Sequence, residues 1–407
     1  MDDQAQAIGS RVRYWRKRRD IDRQRFADMV GRSTSWLDKV EKGERNLLRL
    51  PMLERVADAL GVAPEALTDD PTARLAADCV DATEVQAIRS ALGRYPALSV
   101  NASHTKPATP DQIKRQLEYL GHSWLSSNFT AVAQHLPKLI EDAQVAVEIA
   151  STDDEQLATR RSLVMAYRLA SSMLLKFEAN DVAWLAADRA MQTALPTDDT
   201  VALARATRSV ARAMTSAGQE SDAIVVLGGM ADRMRPHLPQ SDGDLLPLFG
   251  MLFLAASMAA AKIDDDAVAL MMHEEADAVV ARLSDKHRTH YTVFGPANVA
   301  AHRVAALTRL RQGGRALEYV ASIDPAIMAS LPTERRANYL LDLTASYTYT
   351  GSYQNAVRSL TEAERLAPQE VRCRPLAHGL LRALLNSTNG SLSQTVRNMA
   401  TRAGIPA

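Results

Sequence analysis

From about residue 112 to residue 400, apolar positions recur at intervals of three and four, broken every fifteen to twenty residues. That period is the signature of amphipathic helices. The first seventy residues carry shorter helices with sharper punctuation. Ile8, Val12, Trp15 and Arg19 share one face of a first helix, with Arg11, Arg13, Arg16, Lys17 and Arg18 around the rest. Asp22 stands where an N-cap belongs, and the helix it starts, Arg23 to Val30, turns Phe26, Ala27 and Val30 inward. Gly31 supplies the positive φ of a tight turn. Ser33 caps a third helix, Thr34 to Glu41, whose Leu37 and Val40 pack while Thr34, Ser35, Asp38 and Lys39 face out. Gly43 ends it, Pro51 begins a fourth helix, and PEAL (64–67) starts a short fifth.

Between these two patterns lies a transition. DPTARLAAD and ATEVQAIRSALGRY each predict a helix, and RYPALSVNASHTKPATP (94–110), with three prolines, predicts a hinge or exposed loop. The resulting organisation is all-α. Residues 1–70 form a compact N-terminal domain, 71–111 a helical linker and loop, and 112–407 a long helical domain. The most apolar run, LLPLFGMLFLAASMAAA (245–261), reads as a buried helix rather than a membrane span.

Composition changes this picture little. The chain has 46% apolar and 24% charged residues with a net charge of zero, which suits a soluble globular protein of two or three domains. The charge is uneven: residues 1–50 hold 13 Lys/Arg against 8 Asp/Glu, an excess of five that fits a nucleic-acid partner. Cys79 and Cys373 stand nearly three hundred positions apart, with no companion at metal-ligand spacing. A disulfide framework is thereby excluded and a reducing, cytoplasmic compartment implied. The first twenty residues contain no apolar stretch of the kind a signal peptide needs.

The pattern IDRQRFADMVGRSTSWLDKVEKGER, followed by L-x-x-V-A-D-A-L-G-V, resembles the phage-repressor class of helix-turn-helix, the xenobiotic-response-element family, over residues 8–67. Small Ala27, turn Gly31, apolar Leu37 and the V-E-x-G ending fall together at the family's spacing. The family usually places Gln after the N-cap of its second helix as a phosphate anchor; this chain has Arg23 there, which alters the contact without abolishing it. The resemblance implies binding to double-stranded DNA, whose major groove, about 12 Å wide, accepts one helix. It makes Thr34, Ser35 and Lys39 base-edge candidates and Arg23, Lys42 and Arg45 phosphate candidates, with Trp36 packing on the sugar-phosphate backbone. A bland alternative is a small helical domain with solvated basic faces.

Near the end, ANYLLDLTASYTYTGSYQNAVRSLTEAERLAP (337–368) closely resembles a tetratricopeptide repeat, with Leu340, Leu343, Tyr347, Gly351, Tyr353, Ala356, Leu360, Ala363 and Pro368 at signature spacing. More worn copies place the equivalent of Ala356 at Ala183, Ala223, Ala269 and Ala316, and a further copy spans 115–150. Five or six hairpins should stack into a superhelix with a concave wall. The combination resembles helix-turn-helix regulators with tetratricopeptide-like C-terminal domains, and FGPANVAAHRVAAL and APQEVRCRPL look like their actinobacterial branch. That resemblance implies a homodimer and an effector, a peptide or a small anionic metabolite, in the groove. Repeat positions assign to the groove Arg168, Ser172, Arg205, Arg208, Arg212, Asn298, Arg309, Asn338 and Tyr349, with His302 one position off the face. Asn pairs suit a peptide backbone and Arg an anion, although superhelix grooves are polar in any case.

Other constellations carry little. His287 and His290 form H-x-x-H without a third ligand, so no metal is expected. No phosphate-binding glycine loop or nucleophile elbow appears, and the glycine pairs at 228–229 and 313–314 read as inter-helix turns. No acid–base or nucleophile set suggests an enzyme, and no cofactor is implied. Two functions compete: a transcription regulator gated through its superhelix, and a protein-interaction scaffold with an accessory DNA tether. Salt-sensitive binding to DNA separates them.

Overall fold

The computed structural model describes residues 2–45, 47, 50–62, 64, 67–68, 79–80, 82–95, 107–240, 243–284 and 293–405. Among these every regular element is helical. The helix expected over 70–78, the middle two residues of PEAL, the centre of the 94–110 loop and the H-x-x-H pair lie outside the described residues.

The N-terminal domain comprises α1 (Asp2–Arg18), α2 (Arg23–Val30), α3 (Thr34–Glu41) and α4 (Leu50–Leu60). Its caps are those the sequence predicts. The Asp22 carboxylate accepts from the Arg25 N–H, the Ser33 hydroxyl from the Trp36 N–H, and Gly31 sits at φ 67°. Ile8, Val12, Trp15, Phe26, Val30, Leu37, Val40, Val56 and Leu60 make one core. Helix α1 lies directly on α3 at Gly9, where a Cβ would come within 2.0 Å of the Val40 carbonyl oxygen.

A fifth helix, α5 (Ala82–Leu92), comes next. Ile88, Ala91 and Leu92 are buried in the same core as Ile113 and Val132, so this linker helix packs as part of the long domain. That domain is built from six hairpins: α6 (Pro110–Leu125) with α7 (Phe129–Ile149), α8 (Asp153–Lys176) with α9 (Asn180–Ala194), α10 (Thr200–Ser216) with α11 (Glu220–Met234), α12 (Leu245–Lys262) with α13 (Asp266–Val280), α14 (Pro296–Arg309) with α15 (Gly313–Ser322), and, after the short α16 (Pro325–Ala329), α17 (Thr333–Tyr349) with α18 (Tyr353–Leu366). Short α19 (Pro368–Arg372) leads to α20 (Pro375–Ser387) and α21 (Gly390–Arg402).

All six hairpins turn in the same way. Two residues before the second helix the backbone enters the left-handed region, at Ser127, Glu178, Gly218, Asp264, Arg311 and Gly351, with φ between 57° and 83°. The next N–H then bonds the carbonyl five residues back, for example Ala179 to Leu174 and Ser352 to Tyr347. This is a Schellman ending, which satisfies carbonyls that a helix C-terminus otherwise leaves bare. The fourth residue of each second helix is then pressed against its partner. It is Ala183, Ala223, Ala269, Ala316 and Ala356 in five hairpins and Val132 in the first, and all six are fully buried. A larger side chain there would force the paired helices apart.

One expectation needs revision and another holds. Gly228 and Gly229 lie in the middle of α11, and Gly313 is the first residue of α15, so neither pair forms an inter-helix turn. Helix α12 is long and apolar enough to cross a membrane, yet 83% of it is buried in the core, as a central helix requires.

The stack closes on itself. Gln369, in α19, accepts through Oε1 from the Phe129 N–H at 2.7 Å, and Ser127 donates to Glu370 at 3.4 Å. Lys176, at the end of α8, bridges Glu334 at 2.6 Å and Glu370 at 2.5 Å. The first hairpins therefore meet the last along a polar seam, and the enclosed space is a cavity.

Candidate nucleic-acid interface and superhelical cavity

Helix α3 is anchored by Leu37 and Val40, both fully buried, which leaves Ser35 and Lys39 exposed and Thr34 half-buried beside them. Lys42 and Arg45 are exposed just beyond its C-terminus. These five candidates thus lie on or next to one solvent-facing helix. Trp36 does not join them: it is 7% exposed and packed in the domain core, with the Arg32 guanidinium 6.0 Å from its ring. Its place on the helix turns the indole under α3 rather than toward a duplex. Arg23 is exposed but faces inward to carboxylates, 3.5 Å from Asp38 and 3.9 Å from Glu41. As a phosphate contact it would have to leave them.

The basic residues of α1 divide in a way that periodicity does not reveal. Arg16 is buried against Glu41 at 2.6 Å, tying α1 to α3. Arg18 is buried against Glu84 of α5 at 3.0 Å and donates to the Cys79 carbonyl at 2.6 Å. Its guanidinium also lies 4.9 Å from the Trp15 ring. Both arginines are scaffold, and Arg18 moors the N-terminal domain to α5.

The cavity of the long domain has a volume of about 640 Å³, with an inner end of about 270 Å³ against the seam. Of the ten groove candidates, Arg168, Ser172, Arg208, Arg212, Asn298, His302, Arg309 and Asn338 line it. Arg205 does not, because it pairs with Asp244 at 2.5 Å. Tyr349 does not either; it is 56% exposed at the end of α17. Sequence reasoning missed Arg335, Arg374, Lys176, Glu334 and Asp342, which the ring closure brings to the same space. Arg335 stands next to a turn-to-helix start and Arg374 beyond the last recognisable repeat, so no repeat position pointed to them.

Charge at the inner end is unbalanced. Seven cationic side chains line it against two carboxylates, Glu178 and Glu334. Glu334 is already shared between Lys176 and Arg335, the latter at 3.4 Å, and Arg374 is taken by Glu370 at 2.5 Å and by Asn338 at 2.6 Å. Among the described residues Arg212 donates a hydrogen bond to the Ser172 hydroxyl, at 2.9 Å, and meets no carboxylate at ion-pair distance. Arg208 has no carboxylate within ion-pair distance among the described residues, and its Nε is buried without a partner. Burial, reinforced by Arg212, Arg335 and Arg168, pushes the Arg208 pKa well below the ordinary arginine range; burial and Arg335 bring Arg212 down to about 10. Burial and Arg335 together hold His302 down at about 3, so its ring is neutral. For Glu334 burial would raise the pKa, but Arg335 and Lys176 prevail and lower it to about 2. Burial pushes Asp342 up to about 7 against the pull of Arg309 and Arg374. Asn298, 1% exposed, offers an Oδ1 with no donor. Leu254, Ala255, Met258 and Ala301 form an apolar wall across the cavity.

The two cysteines correct the sequence reading. Cys79 and Cys373 form a disulfide with Cα atoms 5.3 Å apart. Their separation along the chain said nothing of their separation in space, because the superhelix returns its last repeats to the linker. Cys79 is the residue whose carbonyl Arg18 holds, and Cys373 precedes Arg374 of the cavity. One covalent bond thus joins the N-terminal domain's mooring to the cavity's seam.

Residues 7–70 match the family model described as a helix-turn-helix domain. No curated protein is similar to the chain. Among solved structures, the apo form of the competence regulator ComR from Streptococcus vestibularis shares 16% identity, over 74% of this chain and 98% of that one. A TM-score of 0.26 leaves the two helix arrangements too far apart to bear on fold or function. The geometry of α2 and α3 agrees with the family match: residues 7–70 fold as a helix-turn-helix domain.

Proposed function

We propose that this protein is a sequence-specific transcription regulator in which an effector, bound in the superhelical cavity, changes how helix-turn-helix domains meet DNA. The observation that carries the reading is α3: a short helix set on a buried Leu37–Val40 edge, with Ser35 and Lys39 free in solvent and Thr34 at its start. A helix so presented can enter a major groove with its first turns against base edges, while Lys42 and Arg45 contact phosphates. One such helix covers about half a site, so the working unit is a homodimer with paired helices about 34 Å apart, held through the long domain. The effector is a peptide or a small anionic metabolite, for which the cationic cavity supplies the counter-charge. Coupling needs a path, and the Arg18–Cys79–Cys373–Arg374 line provides one between reader and cavity. The protein acts in the cytoplasm and performs no catalysis of its own.

The test is fluorescence anisotropy with DNA from the gene's own upstream region, at several salt concentrations. A specific site should bind at least about a thousandfold tighter than random duplex, with affinity falling linearly in log salt. Equal, salt-insensitive affinity for all duplexes would leave the scaffold reading in its place. Light scattering that shows a monomer at micromolar concentration, with and without DNA, would remove the dimer.

A further inference from the structure

We infer that the inner end of the cavity is a binding site for a compact dianion, a phosphate monoester or a dicarboxylate, carried by a small molecule whose body lies on the apolar wall. This rests on the effector reading above and narrows it to one ligand chemistry.

Four guanidinium groups, Arg168, Arg208, Arg212 and Arg335, converge on the inner end. The other three each lower the pKa of Arg208, where the opposing charge is Glu334. All four are half-buried, and like charges drawn part-way out of solvent still cost free energy unless a counter-charge is supplied, which proteins ordinarily do from their own carboxylates. Here Glu334 and Glu370 are consumed by Lys176, Arg335 and Arg374 along the seam. Among the described residues, Arg208 and Arg212 are left without a carboxylate at ion-pair distance. A phosphate or a pair of carboxylates meets guanidinium forks two bonds at a time, which a chloride ion cannot do.

The rest of the site indicates a small molecule. A volume near 640 Å³ is that of a ligand pocket. Leu254, Ala255, Met258 and Ala301 line the same cavity as Arg208, Arg212 and Arg335, and Asn298 lines it too, its unpartnered Oδ1 offering an acceptor to a donor on the ligand. Asp342, whose pKa burial raises to about 7, offsets the positive balance only in part at neutral pH.

The experiment uses the full-length oxidised protein in chloride buffer at constant ionic strength, titrated with phenyl phosphate and with phenylsuccinate. Calorimetry gives stoichiometry, thermal unfolding gives stability, and DNA anisotropy is recorded on the same samples. At least one dianion should bind once per chain and raise Tm by about 4 °C at a hundredfold excess over Kd; which one does so assigns phosphate or carboxylate. Arg208→Met should weaken that binding about tenfold or more, without lowering the ligand-free Tm. Two results would overturn the site: neither dianion shifts Tm beyond matched sodium chloride, or Arg208→Met lowers the ligand-free Tm and leaves dianion binding unchanged. Loss of the site with salt-sensitive DNA binding retained defeats this inference alone. Dianion binding in a chain with no DNA affinity supports the site and defeats the regulator.

Discussion

Arginine is used in opposite ways at the two ends of this molecule. In the helix-turn-helix domain a buried arginine has a carboxylate: Arg16 meets Glu41 and Arg18 meets Glu84. Those that lack one, such as Arg45, stand in solvent. In the cavity, Arg208 and Arg212 are half-buried with no carboxylate at ion-pair distance among the described residues, and the charges around them are mostly other guanidiniums, opposed by Glu334. The first arrangement is self-sufficient and holds a scaffold in place. The second is completed only from outside. A half-buried charge that the protein leaves unmatched therefore points to a ligand more directly than does a row of exposed ones.

The two regions share one covalent link, and cutting it should have the largest effect. The disulfide closes a span of 294 residues, so reduction or Cys373→Ser removes a constraint worth up to about 5 kcal/mol in the chain-entropy treatment. The urea midpoint should fall markedly in the presence of a dithiol. An unchanged midpoint would mean that the seam and the Arg18–Glu84 pair hold the regions together without it.

Within the reader, exposed side chains should divide by role. Lys39→Ala or Ser35→Ala should cost about 1–3 kcal/mol of discrimination between the preferred site and its single-base variants. Arg45→Ala should weaken all sequences alike and reduce the salt slope by about one. If Arg45→Ala changes which site is preferred, the assignment of base-edge and phosphate roles is wrong.

A smaller effect concerns pH. In the folded chain Asp342 releases its proton near 7 rather than at the usual carboxylate value. It therefore contributes stability that is complete below about pH 4 and is lost as pH rises through 7. The same protonation adds a positive unit to the cavity at pH 6 relative to pH 8, beside Arg309, Arg335 and Arg374. His302, held near 3, stays neutral over that range. Sulfate, dianionic throughout, should bind several-fold tighter at pH 6 than at pH 8, and Asp342→Asn should remove the difference. A pH dependence that survives in Asp342→Asn would assign the titration to another group.

Much of this architecture was legible in the sequence, for identifiable reasons. Caps at Asp22 and Ser33, and the alanines at 183, 223, 269, 316 and 356, are local requirements of helix ends and close helix contacts, so they leave local marks. The repeats looked worn because four of the six left-handed turn positions carry Ser, Glu, Asp and Arg instead of glycine. Seven groove residues followed from repeat position alone, and His302 from one position off it. Arg335, Arg374, Glu334 and Lys176 did not, because they meet through closure of the whole ring, which no local period encodes. The Cys79–Cys373 bond was hidden for the same reason. Trp36 was misplaced because helical phase around a short eight-residue helix tolerates an aromatic on either side of the boundary, and only packing against α1 and α2 decides.

The central claim, that Arg208 and Arg212 await an external anion while the buried Arg16 and Arg18 are paired by the protein, is tested most directly by one paired measurement. Ligand-free stability of Arg16→Met and Arg208→Met is compared with that of the parent by urea denaturation, after dialysis into low-salt chloride buffer. Arg16→Met strands Glu41 in the core and should lose about 3–5 kcal/mol. Arg208→Met relieves repulsion among guanidiniums and should leave stability unchanged or raise it. Comparable losses in both variants would show that Arg208 is structurally paired like Arg16, and would contradict the account.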